Sequence, residues 1–404
     1  MHPDTMRRVD AWVGRPLCFL FSLLNSLQRA LGIRRLPKGF KPKKMLFLEL
    51  SEMGSTILGY GAMKRAKELF GAELYFLIFE SNAESIRMLD VIPRKNILTI
   101  RSSNIFVMGW DTLKMIVRMR RLKIDTVVDM ELFSRFTALL SYFSGAKAVS
   151  GFYKFYMEGL YRGNFLTHKV QYNPYYHISQ SFLALVYALA ADPCELPLLK
   201  REVRKEEVIR GRIHSTEEQK KAMLKKVQGF NASITSKSKL VLLNPNASEL
   251  LPLRKWPLSH YQKLAEKLLT LKDTYLVITG VASEKPDAQA ICEYVHSDRC
   301  IDFTGQTTLR ELIDLYEVSS LLISNDSGPA HFASLTDIPI IVFFGPETPA
   351  LYGPLSPHCT PVYANLACSP CVSAFNHRKS ACSNNRCLQV ITPERVFELV
   401  KEKI

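Results

Sequence analysis

The sequence lacks the short motifs that mark the commonest nucleotide-binding and hydrolytic sites. Neither of its two candidate opening strands, at residues 45–50 and 240–243, is followed by G-x-G-x-x-G, which disfavours a nicotinamide dehydrogenase. A Walker A sequence, H-E-x-x-H and a G-x-S-x-G elbow are also absent, so P-loop, zincin and α/β-hydrolase chemistry is disfavoured. The chain has no low-complexity tract and no internal repeat.

Long uninterrupted hydrophobic runs are missing as well. The most apolar segment, residues 12–31, is interrupted by Arg15, Asn25, Gln28 and Arg29. It is too short to span a bilayer and fits an interfacial helix with basic flanks and Trp12 at the boundary. Two alternatives stay open. One is a signal peptide, although no small-x-small cleavage site follows, and the second is a helix packed on the protein's own core.

Acidic residues are scarce, with 38 Asp and Glu against 53 Lys and Arg, a net charge of +15. Residues 1–44 contribute +8 of this charge, from ten Lys and Arg and two Asp. Such localised charge suggests an anionic partner surface, and the aromatic residues within the apolar run favour a membrane. Nucleic acid is not expected, because no recognition motif is present. Nine cysteines, an odd number, disfavour a disulfide scaffold and indicate a reducing compartment.

Strand-like and helix-like segments alternate along the chain, which predicts an α/β protein with two Rossmann-like domains. Residues 153–176, rich in Tyr and Phe, are expected to form either a long loop facing a binding cleft or an ordinary connection. The predicted parts are a basic amphipathic segment and linker (1–44), a first Rossmann-like domain (45–192), a charged helical connection (193–239), a second Rossmann-like domain with a cysteine cluster (240–390) and a C-terminal helix (391–404).

Residues 321–346 are the most informative stretch of the second domain. A polar turn, Asn325-Asp326-Ser327-Gly328-Pro329, separates an apolar strand from the start of a helix. Open α/β sheets bind ligands at this position, where free N–H groups and the helix dipole favour a phosphate. Gly328 admits close backbone approach, and Asp326 is placed to accept hydrogen bonds from hydroxyl groups. The alternative is a capped turn without a ligand.

Further strand ends of the second domain carry polar residues that are expected to converge on the same edge. Asn246 and Ser248 follow its first strand, and Gly280 and Glu284 follow the second. Arg254, just before Trp256-Pro257, is suited to a phosphate. Glu284 is suited to ribose or sugar hydroxyls. Together these residues resemble a nucleotide-sugar site.

Four segments resemble glycosyltransferase family 9, the ADP-heptose:lipopolysaccharide heptosyltransferases. They are residues 324–333 with their Asp-Ser-Gly-Pro-Ala-His core, residues 254–257 followed by Tyr261, residues 280–284, and the pair Met53-Gly54. The similarity covers about residues 45–400. It implies a GT-B fold, in which two Rossmann-like domains face each other across a cleft, with the acceptor bound by the first domain and the donor by the second.

The resemblance also implies roles for the donor site. Ser327, Gly328 and His331 would contact the diphosphate, and Arg254 would offset its charge. Asp326 is expected to be a catalytic residue as well, since it would contact the donor sugar. Glu284 would hold the nucleoside. The full set of expected donor-binding residues is Asn246, Ser248, Arg254, Glu284, Asn325, Asp326, Ser327, Gly328 and His331.

The acceptor loop, Met53-Gly54-Ser55, departs from the family pattern. The family usually has Gly-Asp there, and that Asp is the expected catalytic base, whereas this chain has Gly54-Ser55. A serine does not deprotonate an acceptor hydroxyl unaided. Glu52 in the same loop is therefore the candidate base, with the alternative that it only satisfies a helix N-terminus. Asp129 and Glu131, at another strand end, are lesser candidates.

A cysteine cluster, Cys368, Cys371, Cys382 and Cys387, lies near the C-terminus with His377 inside it. The spacing is compatible with a structural zinc or an iron–sulfur site. Reduced structural cysteines and a disulfide are the alternatives. Neither the resemblance nor the expected reaction depends on a metal, and the absence of an Asp-x-Asp motif agrees with a metal-independent transferase that requires no cofactor.

The sequence thus predicts an inverting glycosyltransferase that moves a sugar, heptose from ADP-heptose, to a lipopolysaccharide or lipid-linked glycan acceptor. Two alternatives stay open: a transferase of the same fold with another donor sugar, and a sugar-nucleotide or glycan-binding protein impaired by Ser55. The expected location is cytoplasmic, peripheral on the inner face of the cytoplasmic membrane and in contact with its anionic surface.

Overall fold

A computed structural model describes residues 3–247 and 251–404. The chain divides into two compact units, Met1–Ile209 and Arg210–Ile404. The connection predicted at 193–239 is shared between them: Gln180 Nε2 donates to the Val203 carbonyl at 2.6 Å in the first unit, and Ile213 N donates to the Leu335 carbonyl at 2.9 Å in the second. None of the helices within the described ranges is both long and apolar enough to cross a bilayer.

The first unit contains a six-stranded parallel sheet. Its strands are β1 (Lys44–Leu48), β2 (Glu73–Phe79), β3 (Ile97–Ile100), β4 (Thr126–Asp129), β5 (Ala148–Tyr153) and β6 (His168–Gln171), in the order β3-β2-β1-β4-β5-β6. Its helices are α1 (Pro3–Trp12), α2 (Gly14–Ala30), α3 (Met53–Leu58), α4 (Tyr60–Phe70), α5 (Ala83–Leu89), α6 (Ile105–Leu122), α7 (Arg135–Ser144) and α8 (Ile178–Ala188).

The second unit repeats this topology in another parallel six-stranded sheet. Its strands are β7 (Lys239–Asn244), β8 (Thr274–Ile278), β9 (Cys300–Asp302), β10 (Leu321–Asn325), β11 (Ile340–Phe344) and β12 (Cys359–Tyr363), in the order β12-β11-β10-β7-β8-β9. Its helices are α9 (Glu217–Gln228), α10 (Leu258–Leu268), α11 (Lys285–Val295), α12 (Leu309–Glu317), α13 (Gly328–Ala333), α14 (Pro349–Tyr352), α15 (Arg386–Gln389) and α16 (Pro393–Lys401).

Both sheets are buried, as all-parallel sheets are when helices cover their two faces. β7 is buried from its second residue onward, and β10 is buried throughout. In each unit the strand order reverses at the centre of the sheet, between β1 and β4 in the first unit and between β7 and β10 in the second. The carboxyl ends at such a reversal border a crevice, because the chain crosses over in opposite directions on its two sides.

Two strands at sheet edges differ from the sequence expectations. The loop predicted at 153–176 contains β6, and β12 follows β11 in a segment for which no strand is predicted. Both strands are short and carry polar residues. β6 contains His168 and Gln171, and β12 contains Pro361, which lacks a backbone donor and is tolerated only at such an edge.

α2 packs on the first unit mainly with its polar side, together with Phe21, whose ring contacts Tyr142 and Phe143 of α7. α2 buries four small or polar residues, Gly14, Cys18, Ser22 and Asn25. It exposes apolar residues that include Phe19, Leu20, Leu23 and Leu27, and Trp12 at the end of α1 is exposed as well. α2 therefore rests on the protein, but its hydrophobic side is turned outward, whereas a core helix would turn that side inward.

Asp10, in α1, connects the N-terminal helices to α7 through hydrogen bonds and an ion pair. Its Oδ1 accepts from the backbone N of Arg135 at 3.0 Å and of Phe136 at 2.8 Å, where the start of a helix has unpaired N–H groups. Its Oδ2 pairs with Arg135 Nη1 at 3.1 Å, and the Arg135 side chain is buried. Removal of Asp10 would leave a buried cation without its carboxylate partner.

Candidate functional site

The polar residues of the second unit gather at the reversal point between β7 and β10. β10 pairs with β7, so that Ser324 lies opposite Asn244. The chain that leaves β7 therefore brings Asn246 close to the residues that follow β10. Asn325 and Asp326 are both buried at this edge.

Asn325 acts within the protein. Its Oδ1 accepts from Trp256 N at 2.9 Å, and its Nδ2 donates to the carbonyls of Pro245 at 2.9 Å and Asn246 at 3.1 Å. The side chain thus ties the end of β10 to the turn after β7 and to the segment before α10. Asn325 therefore belongs to the predicted donor site as a residue that positions the neighbouring segments.

Arg254 lies between two buried carboxylates. Its Nε is 3.5 Å from Asp326 Oδ2, and its Nη2 is 3.3 Å from Glu347 Oε1. The position follows from Trp256, whose buried indole packs against Phe343 and donates from Nε1 to the Ile391 carbonyl at 2.9 Å. The apolar anchor and its backbone bond fix the segment, so that the guanidinium two residues earlier points at the strand ends.

Glu347 is absent from the sequence-based site, although it follows β11 closely, as Asp326 follows β10. Its side chain is fully buried. The pKa of Glu347 is raised to about 8, chiefly by burial; the charge of Arg254 opposes this rise, and nearby Asp326 adds to it. Burial likewise raises the pKa of Asp326, against the opposing charge of Arg254. One guanidinium therefore serves two carboxyl groups, and the pair holds a proton more readily than isolated carboxylates would.

Several buried polar atoms at this edge have no hydrogen-bond partner among the described residues. They are Asn246 Oδ1 and Nδ2, Glu347 Oε2, and the two atoms Arg254 Nε and Asp326 Oδ2, which face each other as an ion pair at 3.5 Å without a hydrogen bond. Each such atom costs about 1–3 kcal/mol if it stays unpaired. Because they cluster around one crevice, a ligand with hydroxyl and phosphate groups would satisfy them together.

Gly280 lets two donor-site side chains approach each other. A Cβ at this position would lie 2.8 Å from Glu284 Oε2 and 2.9 Å from Asn246 Nδ2. Glu284 Oε2 also accepts from Val281 N at 2.8 Å, and burial raises the pKa of its carboxyl group. The structure thus brings Glu284 and Asn246 together at the end of β8, as the sequence predicts.

The turn before α13 leaves room for a ligand at its backbone. Ser327 Oγ donates to the Asn325 carbonyl at 3.2 Å. A Cβ on Gly328 would meet only Phe332, at 3.9 Å, so the approach to this backbone is open. His331 lies buried within α13. Ser248, the remaining predicted donor residue, lies outside the described residues.

The acceptor loop of the first unit places Glu52 at the start of α3, which begins at Met53 and includes Gly54. Glu52 makes no side-chain cap on this helix, and instead its Oε2 accepts from Ser55 Oγ at 2.8 Å. Ser55, which stands where the resemblance implies an Asp, is thus hydrogen-bonded to Glu52, the candidate base in its place. Glu52 is partly exposed.

The remaining two candidate carboxylates of this unit are occupied by the protein. Asp129 is buried and pairs with the buried Arg162, and burial raises the pKa of Asp129 to about 6 while Arg162 lowers it. Glu131 Oε1 accepts from Leu50 N at 2.9 Å and from Ser51 Oγ at 3.0 Å. Burial raises the pKa of Glu131, and these hydrogen bonds oppose the rise. Both groups hold the loop on which Glu52 sits.

The cysteine cluster shows no disulfide, since all nine cysteines are free thiols. Cys371 Sγ accepts from Ser380 Oγ at 3.2 Å, and Cys382 Sγ lies 3.1 Å from the Asn384 carbonyl. Across residues 3–247 and 251–404, no three His, Cys, Asp or Glu side chains are arranged to hold a metal ion, and this includes Cys368, Cys387 and His377. These contacts are those of reduced cysteines that bond to neighbouring polar groups.

A family model describes much of this chain. Residues 112–381 match the model for glycosyltransferase family 9 (heptosyltransferase). The chain belongs to glycosyltransferase family 9. The predicted family is confirmed, and the matched span includes the whole polar edge of the second unit.

Curated relatives within family 9 match parts of the chain. Lipopolysaccharide heptosyltransferase 2 of Salmonella typhimurium is 30% identical over 173 residues, which cover 41% of this chain and 47% of that protein. Lipooligosaccharide heptosyltransferase 2 of Haemophilus influenzae is 33% identical over 116 residues, which cover 28% and 33%. The chain thus spans between a third and a half of the length of these relatives.

Solved family structures share the fold. The ADP-heptose lps heptosyltransferase II of Escherichia coli superimposes with a TM-score of 0.67 at 18% identity, covering 89% of this chain and 98% of that one. The E. coli heptosyltransferase WaaC with ADP-2-deoxy-2-fluoro heptose gives a TM-score of 0.60 at 13% identity, covering 89% and 100%. The predicted GT-B fold is confirmed.

Proposed function

We propose that this family 9 glycosyltransferase moves heptose from ADP-heptose to a lipopolysaccharide or lipid-linked glycan acceptor. The observation that carries the proposal is the set of buried polar atoms around Arg254, at the reversal point of the second unit, that lack a hydrogen-bond partner among the described residues. The names of the relatives supply the sugar and the nucleotide, since heptosyltransferases of this family are solved with ADP and with an ADP-heptose analogue.

In this proposal the second unit binds the donor. Arg254 and the open backbone at Gly328 face the diphosphate, and Ser327 and His331 complete its contacts. Asp326 accepts from hydroxyls of the sugar. Asn246 and Glu284, which meet at Gly280, hold the nucleoside. Glu347, missing from the sequence-based set, shares Arg254 with Asp326 and sets the charge of the pocket.

In the reaction that we propose, Glu52 acts as the general base. It takes the proton from the acceptor hydroxyl, whose oxygen attacks the anomeric carbon from the face opposite the diphosphate. The bond between the anomeric carbon and the diphosphate oxygen breaks, and ADP leaves with the electron pair. Arg254 and the backbone N–H groups near Gly328 stabilise the leaving charge without a metal or cofactor. The configuration at the anomeric carbon is inverted.

Release of ADP tests the proposal. Purified protein is incubated with ADP-heptose and a heptose-deficient lipopolysaccharide acceptor, beside Glu52→Gln, Asp326→Asn and a matched surface control, Glu266→Gln. We expect acceptor-dependent release in the wild type and the control, and release slower by at least about 10²-fold in the first two variants. Release with another sugar nucleotide instead would favour a different donor. Donor binding without turnover in the wild type would identify a binding protein.

We further propose that α1 and α2 hold the enzyme on the anionic cytoplasmic face of the inner membrane. The exposed apolar side of α2 and the net charge of +8 in residues 1–44 support this proposal. Sedimentation with anionic vesicles tests it, with Leu20→Ser combined with Leu27→Ser as the perturbation. Equal partitioning of this variant and the wild type would count against the assignment.

A further inference from the structure

α6 carries apolar residues on both of its sides, although only one side packs on the first unit. Met108, Met115 and Met119 of one face pack toward the sheet core. The opposite face carries large apolar residues that are exposed: Phe106 (87%), Trp110 (60%), Leu113 (59%) and Val117 (49%). At 100° per residue these four fall within roughly 60° of one another, directly opposite the core face. They form a continuous stripe, which we call the α6 stripe.

Basic side chains line the α6 stripe. Lys114, Arg118 and Arg121 are exposed beside it, and Lys114 Nζ lies 5.3 Å from the centre of the Trp110 ring. The helix has one acidic residue, Asp111, which is buried and held by Arg101 through contacts of 2.7 and 2.9 Å. Within α6, no carboxylate is exposed beside the stripe.

The α6 stripe also has a neighbour of the same character. α2 and α6 both pack against α7, and α2 turns its own apolar residues outward. The two helices that flank α7 therefore both expose large apolar side chains. Contiguous apolar surface with a basic border is typical of proteins that insert shallowly into anionic lipid.

We propose that the α6 stripe is a second membrane-docking surface, which inserts Phe106, Trp110, Leu113 and Val117 into an anionic lipid bilayer. Lys114, Arg118 and Arg121 contact the lipid headgroups. A second copy of the chain is the less suitable occupant, because its own basic border would face this one. The inference rests on the membrane part of the proposed function, and it is independent of the transfer reaction.

Fluorescence of Trp110 tests the inference in the full-length protein. The chain has three tryptophans, of which Trp256 is 1% exposed, so in a Trp12→Phe variant the response to lipid comes from Trp110. With vesicles of phosphatidylglycerol and phosphatidylcholine, we expect a blue shift of its emission and quenching by brominated acyl chains. Unchanged emission while the protein still sediments with the vesicles would assign binding to the N-terminal helices alone and overturn the inference.

Vesicle sedimentation supplies the matched comparison. The double variant Phe106→Ser with Trp110→Ser should have a partition coefficient onto the vesicles that is at least about tenfold lower than that of the wild type. Leu69→Ser, which alters a half-exposed residue of α4, should bind as the wild type does. Equal binding of all three proteins overturns the inference. The inference is also overturned if, in sedimentation velocity without lipid, the wild type and Leu69→Ser form a dimer and the double variant does not. ADP release with a detergent-solubilised acceptor should persist in the double variant; absence of release from the wild type as well would concern the proposed reaction alone.

Discussion

Replacement of Glu347 by Gln would test how the donor site is charged before a ligand arrives. The change keeps the shape of the side chain and removes its titration. In the folded protein the pKa of Glu347 is raised from 4.5 to about 8, first by burial and then by Asp326. A carboxyl group with a raised pKa stabilises the fold while it is protonated. Its contribution is complete below the unfolded pKa and is lost as the pH rises through 8.

The size of the effect follows from the two pKa values. Between pH 6 and pH 8 the unfolded group is ionised, whereas the folded group is still partly or mostly protonated. Linkage then makes the second unit less stable at pH 8 than at pH 6 by about 2 kcal/mol. For a unit of this length, that corresponds to a fall in Tm of about 4–8 °C.

Differential scanning calorimetry of the ligand-free protein at pH 6 and pH 8 measures this fall. We expect it in the wild type and in Glu266→Gln, an exposed substitution in the same unit, and we expect a clearly smaller fall in Glu347→Gln. Equal falls in all three proteins would refute the reasoning, because they would show that Glu347 ionises without cost beside Arg254.

Three further substitutions have separate outcomes. Glu52→Gln should lower kcat for ADP release by about 10²- to 10⁴-fold with little change in donor Kd, and unchanged kcat would exclude Glu52 as the base. Gly280→Ala should weaken ADP binding in calorimetry, since its Cβ would displace Glu284 and Asn246, and the overpacking should also lower the free energy of unfolding by about 1–3 kcal/mol; unchanged ADP affinity would contradict the proposed role of these two side chains. Asp10→Ala should weaken the packing of α1 and α2 on α7 by about 3 kcal/mol, because it leaves the buried Arg135 without its carboxylate partner. Hydrogen exchange of the amides of α1 and α2 measures this loss. Unaltered protection of these amides would contradict the role of Asp10.

The placement of the proposed donor residues can be predicted because these residues follow strands in a regular topology. Asp326 and Asn246 lie at strand ends on either side of the reversal point, and the sequence places both correctly relative to their strands. Glu347 follows a strand as well, but Gly345-Pro346 before it resembles an ordinary turn. Its importance comes from a shared contact with Arg254, 93 residues away along the chain, which a local pattern does not contain.

The orientation of the amphipathic helices does not follow from the sequence, for a related reason. The spacing of apolar residues in α2 predicts a helix with two faces, but not which face meets the protein. That choice depends on Asn164, whose side chain bonds Asn25 and Ser26, and on Arg135, which packs near Gly14. In α6 the side chain of Asn104 caps the helix, so that the helix begins before Trp110 and its first turn carries Phe106 outward.

The two units differ in what their strand ends still require. In the first unit Arg162 pairs with Asp129 and donates to the Glu131 carbonyl, and the Glu131 side chain accepts from Ser51, so the protein's own groups hold the loop of Glu52; among the described residues Arg162 Nε alone of this network has no hydrogen-bond partner. In the second unit Asp326 and Glu347 share a single guanidinium, and among the described residues Glu347 Oε2 and both side-chain polar atoms of Asn246 have no hydrogen-bond partner. A site that is already satisfied can position a base, because it has one stable arrangement. A site that is unsatisfied gains most from a ligand, because binding provides the partners that the fold leaves out. In the proposed function, the same topology therefore positions the loop of Glu52 in one unit and binds the polar donor in the other.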